Sequence, residues 1–309
     1  MQLFPNPNLN FMSKRMFYYF ISGLFILIGL VVITINDGLK YNIDFSGGLA
    51  LEIAPIEANG TILTVTNIRE TLSRNGLEVE IQELPNTHSF LIKAKSTGGV
   101  GDQIIDILKT EYPEHTASDT FIRAQDEVGP RAGADLRNKA VNAVLISLFF
   151  ILLYIWVRFR FTWGFIGAFG LLHDVLVCLI VLTYMKMEIG MTVLAALLTV
   201  VGYSINNTIV IFDRIRENMK LYRKEDDLQI VNRSINETLN RTLLMIITTL
   251  IANICLIVFG GPVIFNFAFT FMVGTIAGTY SSMVLVTAIV LDTVLAIKRQ
   301  KALALKGKK

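Results

Sequence analysis

Several polar and ionisable side chains lie inside long apolar stretches of this chain. His173 and Asp174 are adjacent in one stretch, Ser204, Asn206 and Asn207 follow in the next, and Asp292 lies in the last stretch. Unpaired polar groups are costly in hydrocarbon, so such residues face the protein interior and indicate function by default. Carboxyl and imidazole groups bind and release protons. The pattern predicts a functional site inside the membrane part, and we do not expect an enzyme because no nucleotide loop, metal cluster or catalytic triad occurs.

Composition places these residues in a membrane protein. The chain is 53% hydrophobic and 17% charged, with a mean hydropathy of +0.55, which exceeds what a soluble globule can bury. Runs long enough to cross a bilayer occur six times. They predict an α-helical polytopic membrane protein with six transmembrane helices, near residues 16–35, 140–157, 163–185, 189–212, 243–259 and 267–297.

Basic residues predict the orientation of these spans. Lys and Arg lie before the first span, between the second and third, between the fourth and fifth, and after the sixth; the short loops on the other side hold only Lys186. The positive-inside rule then makes both termini cytoplasmic and the insert between the first two spans external. The first run is too long for a signal core and is expected to stay as an anchor. The predicted segments are a cytoplasmic tail at 1–15, a first transmembrane helix at 16–36, an external domain at 37–138, helices two to six within 139–299 with a cytoplasmic loop at about 213–241, and a basic tail at 300–309.

The external insert has the rhythm of a small α+β domain. Residues 41–53 predict two strand pieces, the first of which contains Asp44, separated by a bend or bulge at Gly47-Gly48. Amphipathic patterns predict helices at 63–75 and 102–112, and alternation predicts strands at 79–84, 90–95 and 119–128, with a turn at 85–86. The order strand–helix–strand–strand–helix–strand predicts a ferredoxin-like domain, with an antiparallel sheet and two helices on one face.

No cofactor or metal chemistry is visible. His88 and His115 are isolated in polar surroundings and are interpreted as surface histidines. The two cysteines, Cys178 and Cys255, lie in spans, which argues against a disulfide or zinc site. The net charge of +3 follows from topology, so no nucleic-acid partner is expected.

The chain resembles the SecF group of the SecD/SecF protein-export family, relatives of the resistance-nodulation-division transporters. The resemblance covers nearly the whole chain, in the expected order. It rests on residues 43–48 (IDFSGG), 128–130 with Gly133 and 136–137, 154–159 (YIWVRF), 173–174 (HD), 202–206 (GYSIN), 212–216 (FDRIR), 233–236 (RSIN) and 241–242 (RT).

The resemblance implies a partner and a role. Members of this group pair with SecD in the bacterial cytoplasmic (inner) membrane and use the proton or sodium gradient to complete export of unfolded polypeptides through the SecYEG channel. The resemblance also implies that Arg241 works with a carboxylate in the fourth span. From the sequence alone, Arg241 serves equally well as a positive-inside anchor, behind an amphipathic surface helix formed by Leu228, Val231, Ile235 and Leu239.

The chain departs from the family pattern at Asn207, where the resemblance implies an aspartate. An amide cannot carry a proton. Three explanations stay open: a carboxylate elsewhere, on SecD or at Asp292, carries it; the asparagine replaces a natural aspartate; or the subunit is a passive structural half. Asp292 is also interpreted as a carboxylate that reaches the interface or pairs with a cytoplasmic lysine. His173 and Asp174 lie near mid-membrane, where Asp174 is the better proton-handling candidate and a role in tying the spans together is the alternative.

Small residues in two spans predict close helix packing. The alternative for these glycines is a path for ions, which we favour less. They are Gly164, Gly167 and Gly170 in the third span and Gly274 and Gly278 in the sixth. Two functional classes remain open at this stage: an ion-driven export subunit, and a non-conducting scaffold that holds SecD and the translocon together. A small-molecule exporter is disfavoured because its external domains would be much larger.

Overall fold

The computed structural model describes residues 8–36, 38–58, 63–84, 89–95, 98–158 and 161–306. The chain divides into two compact units. The first contains the described parts of Met1–Lys40, Val144–Glu188 and Thr192–Lys309; the second contains those of Tyr41–Ala143 and Ile189–Met191.

Six helical segments are long and apolar enough to cross a membrane, which confirms the sequence prediction. Each has about 20 or more residues, the length needed to cross roughly 30 Å of hydrocarbon. The helices are α1 (Arg15–Ile35), which follows a short 3₁₀ turn, α5 (Pro130–Arg158), α6 (Phe161–Tyr184), α7 (Met191–Leu221), α8 (Asp227–Phe259) and, in the sixth span, α9 (Gly261–Tyr280) and α10 (Val286–Lys306).

The sixth span contains a π-helical turn, Ser281–Leu285, all of whose residues are buried. Ser281 Oγ donates to Gly278 O at 3.2 Å, and Ser282 Oγ donates to Thr279 O at 3.2 Å. These hydroxyl groups therefore bond backbone carbonyls where the regular helical ladder changes. Such single π turns occur frequently at functional sites.

The segment 213–241 is helical except for residues 222–226, so the expected cytoplasmic loop is short. The expected surface helix before the fifth span is wrong, because α8 runs unbroken from Asp227 into that span. Its apolar face packs inside the first unit: Val231, Ile235 and Leu239 are buried, and Leu228 packs against the same core. This face is covered by protein and does not lie on a membrane surface.

The second unit contains a four-stranded sheet and the helices that cover it. The elements are a short α2 (Ile43–Ser46), β1 (Gly48–Ile53), α3 (Val65–Arg74), β2 (Val79–Leu84), β3 (Ser89–Ala94), α4 (Val100–Glu111) and β4 (Ile122–Val128). The strand order is β2-β3-β1-β4 and every pair is antiparallel. The expected alternation of strands and helices is confirmed, while the ferredoxin-like class stays a prediction.

Local signals explain the ends of the covering helices. Thr64 caps α3 through a capping box with Asn67, and Asn75 follows the helix. Apolar residues of α3 and α4 share one core with the strands, including Ile68, Leu72 and Ile104. The predicted turn at 85–86 and His88 lie outside the described residues. His115 is half-buried, and its Nδ1 lies 2.8 Å from Ile56 O.

The first strand piece expected before Gly47-Gly48 is wrong, because residues 43–46 form the short helix α2. The Asn42 side chain accepts a hydrogen bond from Ile43 N and starts this helical turn. Gly47 ends the turn with φ +74°, where a Cβ would lie 2.6 Å from Pro130 Cα. The glycine pair thus joins a helix to β1 and is not a bend between two strands.

The second span begins earlier than expected. α5 starts at Pro130, ten residues before the predicted span, because proline is favoured in the first turn of a helix. The boundary expected at 138 therefore lies within a continuous helix.

Candidate functional site

Asp174 lies at the centre of a buried polar cluster between α6 and α7. Its side chain is 0% exposed. Ser204 Oγ donates to Asp174 Oδ2 at 2.5 Å, and His173 Nδ1 lies 3.2 Å from Asp174 Oδ1. No lysine or arginine of the described chain forms an ion pair with Asp174. A charged carboxylate without a fixed cation is costly in such a site unless a proton or a mobile cation compensates it.

Glycine on α9 permits this arrangement. A Cβ on Gly278 would lie 2.9 Å from Ser204 Cβ and 3.3 Å from Asp174 Oδ2. The backbone of α9 therefore closes the third side of the cluster, and any larger residue would push against both partners.

The other four glycines fall into two groups. A Cβ on Gly274 would lie 2.1 Å from Val200 Cγ2, and one on Gly170 would lie 2.4 Å from Val286 Cγ2. At Gly164 and Gly167 the nearest atoms are 3.7 Å and 3.8 Å away, which is ordinary contact. Close approach thus needs a glycine at Gly170, Gly274 and Gly278, while alanine fits at the other two.

The neighbouring amides on α7 face different environments. Asn207 is 1% exposed, and its Nδ2 has no hydrogen-bond partner in the described part of the chain. Asn206 is exposed. The structure brings Ser204, but neither amide, into hydrogen-bond contact with Asp174.

Asp292 belongs to a separate cluster. Arg15 Nε lies 2.9 Å from Asp292 Oδ1, and Tyr19 OH donates to Asp292 Oδ2 at 2.9 Å. The expected lysine partner is wrong, since Lys298 bonds Asp227 instead. Asp174 and Asp292 thus have different partners, and Asp292 makes no hydrogen bond with Asn207.

Arg241 is exposed on α8 and makes no hydrogen bond or ion pair with the described residues. Within this chain it therefore contacts neither carboxylate. A cation at the edge of a span that has no partner within its own chain is normally contacted by another chain or by lipid headgroups.

Sequence reasoning missed Tyr280, which links α9 to α1 beside the Asp174 cluster. Its OH lies 2.9 Å from Ser22 Oγ and donates to Tyr18 O at 3.2 Å. Its ring centroid lies 6.2 Å from that of His173. A signal was present, because Tyr280 directly precedes the Ser281-Ser282 pair inside an apolar span.

In the second unit, Asp44 Oδ2 accepts a hydrogen bond from Met191 N at 3.0 Å. Asn42 N donates to Ile189 O at 3.1 Å. Gly190 lies so close that a Cβ would be 2.7 Å from Asp44 Oδ2. Asp44 therefore bonds the first residue of α7, where carboxylates are favourable.

Among the described residues, no group of three or more His, Cys, Asp or Glu side chains is placed to hold a metal ion. The cysteines are free, with Cys178 buried and Cys255 exposed. The cluster around Asp174 contains one carboxylate, one imidazole and one hydroxyl. This set is suited to a proton or a monovalent cation.

Comparison with known proteins gives a consistent picture. Residues 108–296 match the family described as "Protein export membrane protein SecD/SecF, C-terminal". The subunit named "Protein translocase subunit SecF" from Rickettsia typhi is 38% identical over 90% of this chain and 90% of its own length. The Rickettsia prowazekii protein of the same name is 36% identical over 100% of both chains.

Two solved structures resemble this chain. SecDF from Thermus thermophilus, described as a translocon-associated membrane protein, matches with a TM-score of 0.82 and 35% identity over 95% of this chain. SecDF in a super-membrane-facing form matches with a TM-score of 0.71 and 34% identity over 98% of this chain. The chain spans 39% and 41% of the length of those two proteins.

Proposed function

Because the chain belongs to the SecD/SecF family of protein export membrane proteins, we propose that it pairs with SecD and uses an ion gradient to complete export of unfolded polypeptides through SecYEG. The gradient is one of protons or sodium ions. The proposed location is the bacterial cytoplasmic (inner) membrane, with both termini cytoplasmic, since Lys and Arg concentrate at one end of the spans.

The observation that carries this proposal is the Asp174 cluster. Its carboxylate is fully buried, is bonded by Ser204 and His173, and has no lysine or arginine partner among the described residues. We infer that the charge of this carboxylate depends on a mobile ion. Ion uptake and release would change the free energy of packing α6, α7 and α9 against one another, because all three helices contact the cluster. Such a change is the kind of event that couples ion passage to movement of an external domain.

A SecD partner is supported by groups that this chain leaves uncovered. Asn206 and Arg241 are both exposed on membrane-spanning helices. Polar groups at such positions are costly against lipid and are normally covered by protein. In the SecDF structure that matches this chain, the matching region is part of a longer chain.

The second candidate function is a non-conducting scaffold that stabilises SecD and the translocon. Asn207 favours it, because this buried amide cannot carry a proton. Asp174 lies on the neighbouring helix and supplies the carboxylate that Asn207 lacks. We therefore favour ion coupling at Asp174.

The test uses this chain reconstituted with SecD and SecYEG in proteoliposomes, with export measured with and without an imposed gradient. Asp174→Asn is expected to lose the gradient-stimulated part of export, because its amide binds no proton. Ionophores selective for protons or for sodium then identify the ion. Asp292→Asn is the matched control, since it removes a carboxylate that already has a fixed cation. Equal stimulation of wild type and Asp174→Asn would support the scaffold function instead.

A further inference from the structure

A groove of about 950 Å³ lies within the first unit between α1, α6 and α10. Its wall on α1 extends from Tyr19 to Val31, and its opposite wall extends from Leu285 of the π turn to Ala296 of α10. Phe169 and His173 of α6 form its floor. Its volume is typical of a site for a small molecule with a large apolar part.

The groove has the length of one membrane leaflet. Twelve residues separate Tyr19 from Val31, which corresponds to about 18 Å of helix. One leaflet contributes roughly 15 Å to the hydrocarbon core. An acyl chain lying along α1 would therefore fill the groove from end to end.

The two ends of the groove differ in polarity. Tyr19, Ser22, Asp292 and Thr293 lie toward the end near the start of α1, and Ile26, Leu27, Leu30 and Val31 line the other end. This polarity matches a lipid whose ester and headgroup lie at one end and whose chain extends to the other.

An exposed arginine, Arg299, flanks the polar end. Arg299 follows Ala296 by three residues and Asp292 by seven, so it lies on the same face of α10, one turn beyond the groove. The Asp292 carboxylate, which would repel an anion, is already paired with Arg15. The charge at this mouth of the groove therefore favours an anionic group.

We propose that this groove binds one anionic phospholipid, with an acyl chain between α1, α6 and α10 and the phosphate beside Arg299. The lipid would contact His173, the imidazole bonded to Asp174, and so separate that pair from the surrounding bilayer. The binding site does not depend on the proposed export function.

The test is native mass spectrometry of the full chain with added phosphatidylglycerol or phosphatidylcholine. Wild type is expected to retain one phosphatidylglycerol at concentrations that leave phosphatidylcholine unbound. Arg299→Gln is expected to lower this preference about fivefold, the effect of removing one basic residue near the headgroup. Equal retention of the two lipids by wild type would overturn the proposal.

Gly23 allows the groove to be filled selectively. Gly23 lines the groove, and a Cβ built on it meets no atom within 4 Å, so a larger side chain enters open space. Gly23→Leu is expected to lower phosphatidylglycerol retention roughly tenfold, the effect of excluding about two methylene groups from apolar contact. Gly202→Leu is the matched control: Gly202 is also an exposed glycine on a membrane-spanning helix with no atom within 4 Å of its Cβ, and it lies outside the groove.

A photoreactive phosphatidylglycerol tests the site in the unchanged chain. Labelled peptides are expected from the groove faces of α1 and α10. Labels that map elsewhere, or undiminished retention by Gly23→Leu, would overturn the proposal. So would loss of labelling when SecD is co-reconstituted, because the groove would then be a protein interface.

Discussion

Two carboxylates in the helical bundle have opposite surroundings. Asp292 has a fixed cation, Arg15, and a tyrosine hydroxyl, and both members of the ion pair are partly open, with side-chain exposures of 26% for Arg15 and 36% for Asp292. Asp174 is fully buried, and its side-chain partners in the described part of the chain are a hydroxyl and an imidazole. The first carboxylate has a fixed cation as its partner. We propose that the second depends on a mobile ion, and this difference separates a structural ion pair from a candidate coupling site.

The largest effect is expected at Arg241, an exposed cation just before the apolar part of α8. Arg241 forms no ion pair with Asp174 or Asp292. Arg241→Met is expected to reduce gradient-stimulated export to the level measured without a gradient while assembly with SecD persists, because the family resemblance implies a part in coupling for Arg241, whose partner would then lie on another chain. Export assays and co-purification with SecD measure the two effects. Normal stimulation in this variant would return Arg241 to the role of a membrane anchor.

Crowding of the Asp174 cluster gives the next largest effect. Gly278→Ala is expected to lower gradient-stimulated export several-fold and to destabilise the chain by about 1–3 kcal/mol, because its Cβ would lie 2.9 Å from Ser204 Cβ. Gly164→Ala is the control, since its nearest atoms are 3.7 Å away. Thermal unfolding and export assays on both variants measure the difference. Equal behaviour of the two would show that the close contact at Gly278 has no role in coupling.

Breaking the second cluster should affect stability more than coupling. Arg15→Met leaves Asp292 without its cation and is expected to destabilise the chain by about 2 kcal/mol, between the values for exposed and buried pairs. Adding Asp292→Asn to that variant should restore part of the loss. Denaturant unfolding measures both steps. A large loss of gradient stimulation per folded molecule would contradict the structural role of this pair.

The smallest effect is expected at Asn207. Asn207→Asp introduces the residue type that the family pattern implies and is expected to keep or raise export activity, because it adds a buried carboxylate to the helix next to Asp174. Export assays at matched protein levels measure the change. A clear loss would show that the buried amide itself is required.

Sequence reasoning reached the spans and the order of elements in the sheet unit, because apolar runs and alternation are local signals. It also singled out Asp174 and Ser204 separately. Their contact could not be predicted, since it depends on how α6 and α7 pack and on the missing side chain at Gly278. The same limit applies to Asp292, whose partner Arg15 is 277 residues away in the chain.

Two errors had signals that were available. Residues 227–259 contain no glycine or proline, which is consistent with α8 being continuous. Asn42 followed by Gly47 marks a capped helical turn where we expected a strand. Both cases show that caps and breakers decide element boundaries when apolar patterns leave them open.

Asp174 is expected to change its protonation or ion-bound state, while Asp292 is expected to stay paired with Arg15. Infrared difference spectroscopy of the chain with SecD in lipid bilayers, recorded across a pH or sodium step, tests this directly. We expect a carboxyl band that responds to the step in wild type and Asp292→Asn and is missing in Asp174→Asn. If the responding carboxyl band persists in Asp174→Asn, or is lost only in Asp292→Asn, Asp174 is not the group that binds the ion.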